Sequence, residues 1–151
     1  ISATVNIKAD LASELEIDER FLTIEDDGIE EAAANDDGSY TYKITEDLQQ
    51  DFLDAIKADT DTTIDEYLEH KDRFPAYKSI EYNENMTEFI IDVDPEIFSE
   101  VDIELAYVLF INGDFYQSFN SVLPDLVLTT ISFVDAGSGD KLATATSDTQ
   151  Y

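Results

Sequence analysis

Cysteine is absent from the 151 residues, which excludes disulfides, thiolate metal sites and a cysteine nucleophile. Tryptophan is absent as well, and with it the usual indole platform of a sugar cleft. There is a single histidine, His70, and no Gly-x-Ser-x-Gly elbow. A Ser-His-Asp triad or a zinc site would rest on that one imidazole beside Lys71 and Asp72, so His70 reads as an exposed residue near a helix C-terminus. Only five glycines occur, and Gly137-Ser138-Gly139 reads as a turn, so phosphate-loop and dinucleotide patterns are missing. No apolar run is long enough to cross a bilayer. Basic residues are scarce, 8 Lys and Arg against 36 Asp and Glu, for a net charge of −28. That charge repels nucleic acid and anionic lipid.

What is present supports a folded chain. Hydrophobic residues make up 43% and aromatics 11%, enough for a core in one domain spanning residues 1–151. The acidity has three readings, in this order: a hydrated surface suited to a salty or extracellular setting, cation binding, and mimicry of a nucleic-acid backbone against a basic partner.

The organising stretch is Pro95 to Val122. Leu105 to Ile111 is apolar throughout, and Val101, Leu105, Val108, Phe115, Phe119 and Val122 form a stripe at helical spacing. Asp94-Pro95-Glu96 reads as its start. Gly113 marks a kink or a close contact. Tyr107, Phe110, Phe115 and Tyr116 exceed the needs of one face. The helix is therefore covered on both sides, or it presents an aromatic patch to a partner or an apolar ligand.

Thr4 to Lys8 and Phe21 to Glu25 read as strands, and Ile29 to Asn35 as a helical turn or a mobile stretch. Residues 1–38 form N-terminal strands or an appendage, with residues 1–20 partly disordered. Asn35-Asp36-Asp37-Gly38 is a turn. Tyr40 to Ile44 alternates as a strand, and Thr45 caps a helix whose stripe is Leu48, Phe52, Ile56, Ile64, Tyr67 and Leu68. That helix ends near His70 to Arg73, before Pro75. Tyr77 to Glu81 and Glu88 to Val93 form a hairpin. Leu126 to Val134 and Lys141 to Thr146 are strands, and Ser147 to Tyr151 frays. The resulting order from Tyr40 is β-α-β-β-α-β-β. It predicts an α+β fold of ferredoxin-like type, an antiparallel sheet with two helices on one face, plus extra N-terminal strands.

Calcium has one candidate arrangement, Asp26-Asp27 meeting Asn35-Asp36-Asp37 in space. Asp59-Thr60-Asp61-Thr62-Thr63 starts like a calcium loop but has Ile64 at the glycine position and His70 in place of the twelfth-position glutamate. Asp92-Val93-Asp94 departs from the pattern likewise. No catalytic, cofactor or metal residue is assigned, and no cofactor is expected. Asn85-Met86-Thr87 fits the N-glycosylation pattern.

The segment Phe74-Pro75-Ala76-Tyr77-Lys78-Ser79-Ile80-Glu81-Tyr82-Asn83, followed by Met86-Thr87-Glu88-Phe89, resembles a group of uncharacterised Gram-positive secreted lipoproteins. The resemblance covers Thr45 to Val134. It implies tethering outside the cell through a lipidated cysteine lost with the leader, and it implies no catalytic residues. A chain starting at Ile1 rather than Met fits a processed product. The expected function is thus a non-catalytic, extracytoplasmic binding domain of a bacterial surface lipoprotein. Its partner is an unidentified protein or small ligand, not nucleic acid, and it meets the membrane only through the removed anchor. The alternative is a cytosolic acidic inhibitor or immunity protein that covers a basic partner surface.

Overall fold

The computed structural model describes all residues, 1–151. Seven strands and four α-helices follow the order β1 (Ser2–Ile7), α1 (Ala9–Glu14), β2 (Ile29–Ala34), β3 (Tyr40–Thr45), α2 (Glu46–Glu69), β4 (Tyr77–Tyr82), β5 (Glu88–Val93), α3 (Glu100–Leu105), α4 (Tyr107–Phe119), β6 (Thr130–Asp135) and β7 (Lys141–Thr146). The class is α+β with extra N-terminal strands, and the β-α-β-β-α-β-β order from Tyr40 holds except that its second helix is two, α3 and α4. The strands divide into two sheets, β1-β3-β2 and β4-β5-β6-β7. All pairings are antiparallel except β5 with β6, which the α3–α4 crossover makes parallel.

β3 therefore joins the N-terminal strands rather than β4 and its neighbours. The short turn through Gly38 closes a β2–β3 hairpin, and local closure needs little loop entropy. This corrects the expectation of a helical turn at Ile29 to Asn35. The alanines favour helix, but Ala32 and Ala34 stand opposite Tyr42 and Tyr40, where a small residue fits beside an aromatic ring. Phe21 to Glu25, expected as a strand, is a chain of turns. The Thr23 amide donates to Asp26 Oδ2 at 2.8 Å, while the Phe21 ring packs against Tyr42, Phe52 and Phe115 at 6.2–6.5 Å. Residues 1–20 are ordered as β1, α1 and turns, since Val5, Ile7 and Leu11 are fully buried.

Thr45 caps α2 as expected, its Oγ1 accepting from the Leu48 amide at 3.2 Å. The buried stripe of α2 is Leu53, Ile56, Thr60, Ile64 and Tyr67. Thr60 lies inside it without penalty. Its hydroxyl donates to the Ile56 carbonyl at 2.8 Å and accepts from Asn112 Nδ2 at 3.0 Å, which ties α2 to α4.

The Pro95–Val122 helix is not continuous. Asp94-Pro95-Glu96 makes a turn, and α3 starts later, at a capping box formed by Ser99 and Asp102. The helix breaks at Ala106, between α3 and α4. Two buried tyrosines take up carbonyls of α3 beside the break. Tyr67 of α2 donates to Leu105 O, and Tyr77 of β4 donates to Asp102 O. From Leu109 on, α4 is covered on both sides, with Leu109, Phe110 and Phe119 fully buried and Tyr116 nearly so, while Tyr107 and Val108 at its start are exposed. Gly113 marks a close contact, with β6-side Thr129 and the Met86 carbonyl against it.

β6 starts at Thr130, later than expected. Pro124–Leu126 is a 3-10 turn, and the amides of Leu128 and Thr129 donate to Gln117 Oε1 and Ser147 Oγ rather than to a strand. Val127, Thr129, Ile131 and Phe133, which alternate along this stretch, are buried. Residues from both sheets and from α1, α2 and α4 share one apolar cluster.

Candidate functional site

The surface is the first candidate, because its charge is unbalanced. Of 36 acids, one forms an ion pair: Asp18 with Arg20 at 2.7 Å, both exposed. The guanidinium holds the Asp18 carboxyl below the usual carboxylate range. Asp37 and Asp135 are lowered too, the first mainly by the Ser39 hydroxyl and the second by the amides of Gly137 and Ser138. The last contact explains why Gly137-Ser138-Gly139 turns: Asp135 Oδ1 accepts both amides, at 2.7 and 3.2 Å.

The calcium candidates do not converge. Asp26-Asp27 and Asn35-Asp36-Asp37 lie at opposite ends of β2, and six residues of strand at about 3.3 Å each hold them roughly 20 Å apart. Asp26 is occupied by the Thr23 amide, and Asp37 by Ser39. Asp59 to Thr63 lies within α2, where a calcium loop cannot form. Asp92 accepts from Ser79 Oγ at 2.9 Å, and Asp94 from the Glu96 amide at 3.0 Å.

His70 is the C-cap of α2, exposed, and lines an open cleft of about 280 Å³ with Tyr67, Arg73, Phe74 and Val108. Lys71 turns away, donating from Nζ to the Tyr77 carbonyl at 3.1 Å, and Arg73 lies over the Phe74 ring at 5.3 Å. The Tyr67 hydroxyl is already committed to Leu105 O. No serine or carboxylate hydrogen-bonds to His70, and the rim mixes Glu66 and Thr63 with Arg73, so the cleft holds no assembled triad.

A polar knot that sequence reasoning missed lies at the centre of the fold. Asp114 of α4 is fully buried. Its Oδ1 accepts from Thr129 Oγ1 at 2.8 Å and from Ser147 Oγ at 2.9 Å, and its Oδ2 accepts from the Tyr151 hydroxyl. Gln117 Nε2 donates to Thr129 Oγ1 and to the Met86 carbonyl, both at 3.1 Å. Ser147 to Tyr151, expected to fray, is thus pinned onto α4 by two of its side chains. The available signal was the acid itself. A carboxyl inside an apolar helix must find donors or face water.

Burial also raises the tyrosines. Tyr42 and Tyr67 are pushed up to about 12 by desolvation; Tyr82 and Tyr151 are raised by desolvation first and by the carboxyls of Asp61 and Asp114 second, and Tyr77 by desolvation, then Tyr67, then Asp102. A tyrosine in the unfolded chain ionises near pH 10. A raised folded value contributes stability that is fully present below pH ~10 and is lost as pH rises from there towards ~12. Alkaline titration is therefore expected to give a cooperative loss of circular dichroism above pH ~10, coincident with tyrosinate absorbance. Ionisation of all tyrosines near pH ~10 with the dichroism intact would contradict this.

No family model, curated protein or solved structure matches the chain. No helix is long and apolar enough to cross a membrane.

Proposed function

We propose that this chain is a non-catalytic, extracytoplasmic binding domain of a bacterial surface lipoprotein. The observation that carries the binding part is the unpaired acidic surface: of 36 acids only Asp102 and Asp114 are buried and one forms an ion pair, around a core whose buried side-chain polar atoms all have partners. Charge that is not spent on internal pairs is available to a partner. The extracytoplasmic part rests on the Phe74-to-Phe89 resemblance. The same charge supports a second reading, a cytosolic acidic inhibitor or immunity protein seated on a basic surface.

Fractionation of native host cells, with intact mass and N-terminal analysis, separates the two. A lipid-modified or leader-trimmed protein in the envelope supports the first. A Met-initiated chain in the cytosol, with a partner whose binding weakens steeply with salt, supports the second and overturns the first.

Either way, self-repulsion makes stability depend on ionic strength. Raising salt from about 10 mM to about 1 M shrinks the screening length from roughly 30 Å to roughly 3 Å. The melting temperature is expected to rise by roughly 5 °C, about 2 kcal/mol for a chain of this size. A flat or falling melting temperature would show that the charges are compensated.

A further inference from the structure

β2 is paired with β3 on one side only, so alternate N–H and C=O groups along its other side have no strand to meet. The edges of the four-stranded sheet are guarded by bulges with lysines beside them. The register of β4 shifts at Lys78, and that of β7 shifts next to Lys141. β2 is guarded by the opposite sign, with Glu30 at its bulge and Glu31 after it. Beyond Glu31 the strand continues as Ala32, Ala33 and Ala34, without charge, proline or a further bulge.

Beside this edge lies a groove of about 220 Å³, lined by the three alanines with Leu22, Tyr40 and Tyr42, and rimmed by Glu19. The two tyrosine rings are stacked, with centroids 6.3 Å apart. Alanine opposite each ring leaves apolar surface that a larger residue on β2 would cover.

We infer that the free edge of β2 accepts an extended basic peptide segment of a protein partner, which adds as a fourth strand to β1-β3-β2. This rests on the reading of the chain as a binding domain. The ladder supplies main-chain hydrogen bonds, and every second side chain of the incoming strand falls towards the groove. Charge decides the sign of the others. Glu19 and Glu31 flank the site, while Glu30 reaches across the sheet to accept from the Ser2 hydroxyl of β1, and Asp26 and Asp27 lie at one end of β2 with Asp36 and Asp37 at the other. Of the nearby cations, Arg20 is held by Asp18, and Lys43 stands opposite Glu31. A second copy of this chain brings the same glutamates to the edge and is repelled.

The probe is a short peptide of alternating valine and lysine, titrated at low salt into the isotope-labelled full chain. Amide shift changes concentrated at Glu30 to Asn35, with slowed hydrogen exchange there, are the expected result. The same peptide N-methylated at alternate residues keeps its charge but cannot form the ladder, and is expected to bind at least about tenfold more weakly. E19K combined with E31K is expected to weaken the parent peptide by about tenfold and flatten its salt dependence. Equal binding of the N-methylated peptide, or shifts spread over the acidic face of α2, would overturn the edge site and leave the binding-domain reading standing. A cytosolic, Met-initiated chain would overturn the lipoprotein reading and leave the edge site standing.

Discussion

Asp114→Ala is expected to destabilise the chain by about 4 kcal/mol, or roughly 10 °C in melting temperature. The carboxyl group accepts three hydroxyls, from Thr129, Ser147 and Tyr151. Thr129 and Ser147 are fully buried and cannot turn to water when the acceptor goes. Each orphaned donor costs about 1–3 kcal/mol, against a typical total stability of about 5–15 kcal/mol. Removing a buried carboxyl also removes its desolvation cost, which keeps the sum below three full penalties. Asp114→Asn is the graded control. Its oxygen keeps Thr129 and Ser147, and its amide turns Tyr151 from donor to acceptor, so a loss of about 1–2 kcal/mol is expected. Urea unfolding followed by circular dichroism measures all three proteins. If Asp114→Ala costs no more than Asp114→Asn, the knot does not hold the C-terminal segment as described.

Gly113→Ala is expected to cost about 2–4 kcal/mol, although alanine is the better helix former by about 1 kcal/mol. A Cβ at this position would stand 2.3 Å from Thr129 Oγ1, 2.6 Å from Thr129 Cγ2 and 2.9 Å from the Met86 carbonyl oxygen. Neither neighbour yields easily. Thr129 is held by Asp114 and Gln117, and Met86 is a fully buried residue at φ +54° whose carbonyl accepts from Gln117. Relief therefore requires α4 to move away from the β4–β5 loop. A melting temperature unchanged or raised in Gly113→Ala would refute the close contact. Because both substitutions act through Thr129, the double variant should lose less than the sum of the two.

Features that depend on neighbours in the chain were legible. Thr45 followed by Glu46 and Asp47 announces the start of α2, and the alternation Tyr40, Tyr42, Ile44 announces β3. The alternation of Val127, Thr129, Ile131 and Phe133 was readable for the same reason, and the fold decided that this face is the buried one. Gly113 could be singled out, but whether it bent the helix or touched another element could not, because Thr129 and Met86 are brought to it by the fold. The break at Ala106 escaped notice, since Leu105 to Ile111 has unbroken helical character. The two tyrosines that accommodate the break lie on α2 and β4.

The candidate site was less legible than the fold. The acidic excess is countable in the sequence, yet its near-complete lack of ion pairs is a property of the surface. Five acidic or amide residues around β2 looked capable of meeting over a calcium ion until the strand between them was placed. The alanines of β2 favoured helix, and only pairing with Tyr40 and Tyr42 made them an edge with an apolar groove.

By itself the sequence determined the α+β class, the order of elements from Tyr40 apart from the division of the second helix, the Thr45 cap, the turns at Gly38 and Gly137, and the sign of the surface. These follow from periodicity, capping and charge, which act over a few residues or over the whole composition. The tertiary structure decided the division into two sheets, the break in the central helix, the burial of Asp114 and the free edge of β2. Each of these depends on which distant segment pairs with which, and on how a polar group removed from water is satisfied.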